Sequence, residues 1–252
     1  MKRFAVLLPL LVSLVVPAAA ADKKKPQEPG ITRDQAEEIL QELHQIRQLL
    51  EKGARPGSPA GSPAAVLEAD GKVRMRLENE TWLGKPDAPL TLVEFTDYQC
   101  SFCQRFHLET FPAIRKKYID TGQLRFVSRD LPLDFHSNAA RAAEAARCAG
   151  DQGQFWTMRD RLVASPGRLS PGDITGYARD LKLNLEAFQS CLASSKYRQA
   201  VENDVALALS INIQGTPAFI LGKSTPEGVE GVVLMGALPL EAFEAKLAEL
   251  SR

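Results

Sequence analysis

Residues 90–106 read LTLVEFTDYQCSFCQRF, and this stretch limits the possible folds more than any other. The run from Leu90 to Asp97 is short, apolar and preceded by Pro89, as expected of a buried strand. Cys100 and Cys103 follow at once, separated by Ser101 and Phe102. From Ser101 to about Tyr118 the apolar residues Phe102, Phe106, Leu108, Phe111, Ile114 and Tyr118 predict a helix, with a kink at Pro112. A cysteine pair at a strand-to-helix junction puts the first thiol at a helix N-terminus. Unpaired N–H groups and the helix dipole stabilise a thiolate there. The thiolate is the reactive form. Cys100 is therefore expected to attack a partner disulfide, and Cys103, one turn on, to resolve the mixed disulfide.

Two other uses of such a pair are weaker. Structural zinc usually takes four ligands, and the chain has one CxxC with three histidines, His44, His107 and His136, none at a familiar ligand spacing. No metal or cofactor is expected, although two thiolates can hold Cu(I). A quiet structural disulfide across two residues is the remaining alternative. His107 and His136 read as surface or packing residues, and His44 as solvent-facing.

The chain opens MKRFAVLLPLLVSLVVPAAAADKKK. A basic start, an apolar run over 5–16 and several A-x-A sites near Ala20 form the pattern of a cleaved signal peptide over 1–20. That run is too short for a span of ~20 apolar residues. A periplasmic or secreted protein is expected, in a compartment where disulfides persist. Cys148 and Cys191 are then expected to pair with each other. Loss of the leader removes Lys2 and Arg3 and leaves 29 basic against 31 acidic residues. That balance does not suggest nucleic acid or an anionic membrane surface as partner.

Residues 31–52 carry Ala36, Ile39, Leu43, Ile46 and Leu50 on a two-heptad seam, predicting an N-terminal helix able to pair with a second copy. GARPGSPAGSPAA, residues 53–65, is linker composition. The domain is expected over 66–252. Its strands are predicted at 73–78, 90–97, 124–130, 217–221 and 232–235, and a last helix is predicted from Pro239. Residues 137–209 form a helical block of four or five helices, with starts at Asn138, Ser170-Pro171 and Asn184. Without that block the core order is β-α-β-β-β-α.

Glu94 lies inside the apolar strand, six residues before Cys100. A carboxylate there costs free energy unless it has a partner or a purpose. Burial should raise its proton affinity and suit it to exchange a proton with Cys103 through water. Gly215-Thr216-Pro217 precedes another strand. An X-Pro bond can be cis there and expose the Thr216 backbone to an extended substrate chain.

LVEFTDYQCSFCQRF, the helical block and GTPAFILGK together resemble the DsbA-like thiol-disulfide oxidoreductases over about residues 74–250. The resemblance implies a thioredoxin fold with an inserted helical domain. It also implies that Cys100 is the nucleophile, Cys103 the resolving thiol, Glu94 a buried carboxylate and Pro217 a cis-proline facing the disulfide. The expected partners are cysteine-containing exported proteins, contacted at Thr216, Pro217, Ser101 and Phe102, and a redox partner protein. This sequence departs from the family at Ser101, where proline is common, and at Phe102, where the strongest oxidants have histidine. The Phe102 departure suggests a less oxidising disulfide, while a Ser101 hydrogen bond to a sulfur would act the other way. Oxidase, isomerase and reductase directions stay open. The alternative function is a Cu(I)-handling or chaperone module.

Overall fold

The computed structural model describes residues 32–53, 64–78 and 80–251. The expected signal peptide and most of the expected linker lie outside the described residues. The described residues fall into two units, divided between residues 61 and 62.

The described part of the first unit is helix α1, Arg33–Gly53. A reciprocal cap starts it: the Gln35 N–H donates to Thr32 Oγ1, and the Thr32 N–H donates to Gln35 Oε1. Ile39, Leu40 and Leu43 leave much of their surface exposed.

The second unit is built on a six-stranded sheet of β1 (Ala65–Leu67), β2 (Lys72–Arg76), β3 (Leu90–Thr96), β4 (Leu124–Asp130), β5 (Ala218–Ser224) and β6 (Gly228–Met235). The spatial order is β1-β2-β6-β5-β3-β4. Strand β3 runs parallel to β4 and antiparallel to β5, and every one of its residues is buried. Alternation divides the sheet residues between two apolar layers. Leu92, Phe126 and Phe219 join one, with Phe106, Ile114 and Phe243. Val93, Val127 and Ile220 join the other, with Ala208 and Ile213. Strand β1, three residues long, was not expected from sequence, and β5 and β6 each run longer than their apolar cores suggest. Gly222 and Gly231 face each other across β5 and β6. A Cβ at Gly222 would lie 2.1 Å from the Glu230 carbonyl oxygen, so the two strands need glycine there.

The helix after β3 runs on through Pro112. Helix α2, Ser101–Arg105, widens at 106–110, where the Phe111 N–H donates to the Phe106 carbonyl five residues back. Helix α3, Phe111–Ile114, follows, with Pro112 in its first turn, where the missing N–H costs least. A second wide turn closes with the Asp120 N–H on the Arg115 carbonyl. The wide turns accommodate the proline where a kink was expected.

The helical block between β4 and β5 has five helices: α4 (Ala139–Gly150), α5 (Phe155–Val163), α6 (Pro171–Asp180), α7 (Leu185–Ala193) and α8 (Arg198–Ser210). Ser170 and Asp173 cap α6 reciprocally, and Asn184 caps α7 by accepting from the Ala187 N–H. A disulfide joins Cys148 of α4 to Cys191 of α7, with Cα atoms 5.9 Å apart. Arg147 of α4 reaches Asp130 at 2.6 Å and Asp204 at 2.5 Å, tying the block to the end of β4. Helix α9, Leu240–Leu250, places Phe243 and Leu247 against the sheet. No described helix is long and apolar enough to cross a membrane.

Candidate active site

Strand β3 ends at Thr96, and four residues carry the chain to the start of α2. Asp97 organises that turn. Its carbonyl accepts from the Cys100 N–H at 3.1 Å, and its own N–H donates to Cys103 Sγ at 3.5 Å. One carboxylate oxygen accepts from the Gln99 N–H at 2.7 Å. The other accepts from the Leu133 N–H and meets His136 Nδ1, each at 2.8 Å. His136 therefore ties the loop after β4 to the cysteine turn.

Cys100 occupies the N-cap of α2 with extended backbone. Both Cys100 and Cys103 are free thiols; Cys100 is buried apart from a small opening, and Cys103 is fully buried. The Cys100 thiol donates to the Thr216 carbonyl at 3.5 Å. Thr216-Pro217 is a cis peptide bond, and its Thr216 carbonyl is the acceptor of that thiol. Thr216 Oγ1 is buried without a hydrogen-bond partner among the described residues.

The two sulfurs are electrostatically unlike. A hydrogen bond from the Cys103 thiol, then Thr216 and the backbone N–H groups of Cys103 and Phe102, outweigh burial and lower the Cys100 pKa to about 5. Burial, then the hydrogen bond given to Cys100 and the nearby charge of Glu94, push the Cys103 thiol up. The two thiols thus differ in acidity, Cys100 lying below and Cys103 above the ordinary thiol range.

Ser101 and Phe102 are exposed beside Cys100. The Ser101 side chain makes no hydrogen bond to either sulfur among the described residues. Phe102 lies under the Arg105 guanidinium, 5.1 Å from carbon to ring centre. Thiolate stabilisation here comes from Cys103, Thr216 and the backbone.

Glu94 lies in the middle of the sheet, with a partner that the sequence reading missed. Arg159 of α5 donates to Glu94 Oε2, and both side chains are 0% exposed. Arg159 also donates from Nε to Ser128 Oγ at 2.8 Å and meets His107 Nδ1 at 3.3 Å. His107 Nε2 contacts Asp160 at 3.2 Å. In sequence Arg159 looks like any basic residue of an amphipathic helix. It lies 65 residues from Glu94, and no local pattern links the two. His136 and His107 are both bound to carboxylate or guanidinium partners, and His44 is exposed.

A parallel β3–β4 pair, an antiparallel β5, a CxxC at the following helix and a cis-proline facing it define a thioredoxin-type redox protein. Residues 76–230 match the thioredoxin family. Disulfide bond formation protein D of Bacillus subtilis is 31% identical over 152 residues, covering 57% of this chain and 68% of that protein. The solved structure of Wolbachia pipientis alpha-DsbA1 superposes with TM-score 0.61 at 27% identity, over 69% of this chain and 92% of that one. The chain belongs to the thioredoxin family and, within it, to the DsbA-like thiol-disulfide oxidoreductases. A Na(+)/H(+) antiporter NhaA 1 of Salinispora arenicola is 38% identical over 161 residues, covering 64% of this chain. The chain spans about a quarter of that antiporter's length, 24%.

Proposed function

We propose that this protein is an exported enzyme that exchanges disulfides with cysteine-containing proteins through Cys100-Ser101-Phe102-Cys103. The observation that carries the reading is the placement of the pair: Cys100 at the N-cap of α2 with its thiol on the carbonyl of the cis Thr216-Pro217 bond, and Cys103 fully buried behind it. The lowered Cys100 and raised Cys103 proton affinities agree with it. In the oxidised enzyme a client thiolate attacks Cys100 Sγ. The Cys100–Cys103 bond breaks, and its electron pair stays on Cys103, which takes a proton. A second client thiolate then attacks the client sulfur of the mixed disulfide. The client leaves oxidised, and Cys100 departs as a stabilised thiolate. Stabilising that leaving thiolate favours the reduced enzyme, so the disulfide is a net oxidant. Reversal of the same steps reduces a client disulfide, whereas isomerisation begins with the Cys100 thiolate opening a client disulfide and ends when a different client thiolate displaces it, with no net oxidation.

Thr216 and cis-Pro217 form one wall for an extended client chain, and the exposed Phe102 offers it an apolar contact. A redox partner protein renews the disulfide. The Cys148–Cys191 bond holds α4 against α7 and is structural. An exported, periplasmic or secreted setting agrees with the predicted leader and with that bond. The exposed Ile39 and Leu43 of α1 support self-association of the N-terminal helix.

The test is substrate trapping. Cys100→Ser should abolish exchange, and Cys103→Ser should accumulate mixed disulfides between Cys100 and clients, visible on non-reducing gels. Exchange that persists in Cys100→Ser would refute the assignment. Tight Cu(I) binding without exchange by the wild type would favour the copper-handling alternative.

A further inference from the structure

The helical block sends one side chain to the heart of the sheet. Arg159 of α5 and Glu94 of β3 are each 0% exposed, and they are joined side chain to side chain. A buried ion pair left without one member is strongly destabilised, and its cost is repaid only by close geometry and further hydrogen bonds. Arg159 has that geometry. Its guanidinium touches Glu94, Ser128 and His107, and lies 5.4 Å from the Phe126 ring centre and 5.7 Å from that of Trp156. Ser128 stands opposite Glu94 in the β3–β4 register, so one guanidinium bridges neighbouring strands. Glu94 in turn acts electrostatically on Cys103.

We propose that Arg159 is a positioning residue for disulfide exchange, by which the inserted helical block holds and balances the Glu94 carboxylate behind the cysteine pair. This inference rests on the reading of Cys100 and Cys103 as the exchange centre. Arg159 does not touch either sulfur; it acts through Glu94. An isolated carboxylate at this depth would repel negative charge on Cys103, and it would reach Cys100 through the hydrogen bond that the Cys103 thiol gives it. Pairing through Oε2 offsets that charge and fixes the carboxylate, while its Oε1 is buried without a hydrogen-bond partner among the described residues. The other charged or titratable groups around this centre are Asp97 and Tyr98 from the turn, with His136 on the Asp97 carboxylate, Asp130 from β4, Arg147 from α4 with Asp204 of α8, and His107 and Asp160 behind the guanidinium.

The test is a charge cycle on the full chain: wild type, Glu94→Gln, Arg159→Met and the double variant. Each is checked for fold by circular dichroism. The Cys100 thiolate is titrated by its ultraviolet absorbance, and the cysteine pair is equilibrated with glutathione. Arg159→Met should raise the thiolate midpoint, lowering the acid constant about threefold or more, and shift the glutathione equilibrium toward the enzyme disulfide. Glu94→Gln should move the midpoint the other way, and the double variant should return close to wild type. A merely structural arginine would change stability and leave both readouts in place. A folded Arg159→Met protein with the wild-type midpoint and equilibrium would overturn the proposal. If Arg159→Met does not fold, Glu94→Gln is compared with the double variant, and identical midpoints overturn it. Wild-type enzyme that exchanges no disulfides, and so behaves like Cys100→Ser, would instead sink the underlying reading.

Discussion

Cys100 and Cys103 are three residues apart and have opposite acid–base character, and the difference comes from placement. Cys100 sits at the helix start beside Thr216, where the Cys103 thiol and backbone N–H groups donate to it. Its pKa is lowered on folding, so the thiolate stabilises the reduced fold above the ordinary thiol range of about 8.5. That contribution is lost as pH falls through about 5. Alkylation of the reduced protein by iodoacetamide should accordingly stay fast at neutral pH and fall to half near pH 5. A midpoint near about 8.5 would mean an ordinary thiol. The cysteine pair, Glu94 and the Thr216-Pro217 corner were legible in sequence because each stands in a short motif beside a strand. Arg159, Ser128 and the Asp97–His136 contact were not. Their meaning depends on which distant strand or loop they meet, and that is set by tertiary packing.

Among the elements, the strand–helix order was readable because β3 is a short, mostly apolar run, β4 centres on Phe126 and Val127, and Ser170 and Asn184 carry cap chemistry. The short β1 was not, since three residues carry too little pattern to separate a strand from a loop. The wide turns on either side of α3 escaped for a related reason: Pro112 marks a disturbance without saying how the backbone absorbs it. Ser170→Ala removes a reciprocal cap and should cost about 1 kcal/mol in chemical denaturation, with activity unchanged. A loss below about 0.3 kcal/mol would show that α6 does not depend on that cap. The Cys148–Cys191 bond spans 43 residues of sequence. Replacing both by alanine should lower stability by about 4 kcal/mol in the chain-entropy account. Unchanged stability would mean that packing of α4 on α7 suffices without the bond.

At the scale of the whole molecule, a sheet supplies the redox junction and an inserted helical block sends the buried Arg159 to it. The N-terminal unit adds a helix with an exposed apolar stripe. Self-association through that stripe predicts that the chain is oligomeric by light scattering and that removing residues 22–63 lowers the number of chains per particle, and a monomer in both forms would refute it. The central claim is a cysteine pair whose reduced form is stabilised by the Cys100 thiolate, making its disulfide an oxidant. The reduction potential of Cys100–Cys103, measured by equilibration in glutathione buffers, tests that claim most directly. The account predicts a value between about −120 and −180 mV. A value near about −270 mV would contradict it and mark a pair better suited to reducing its clients.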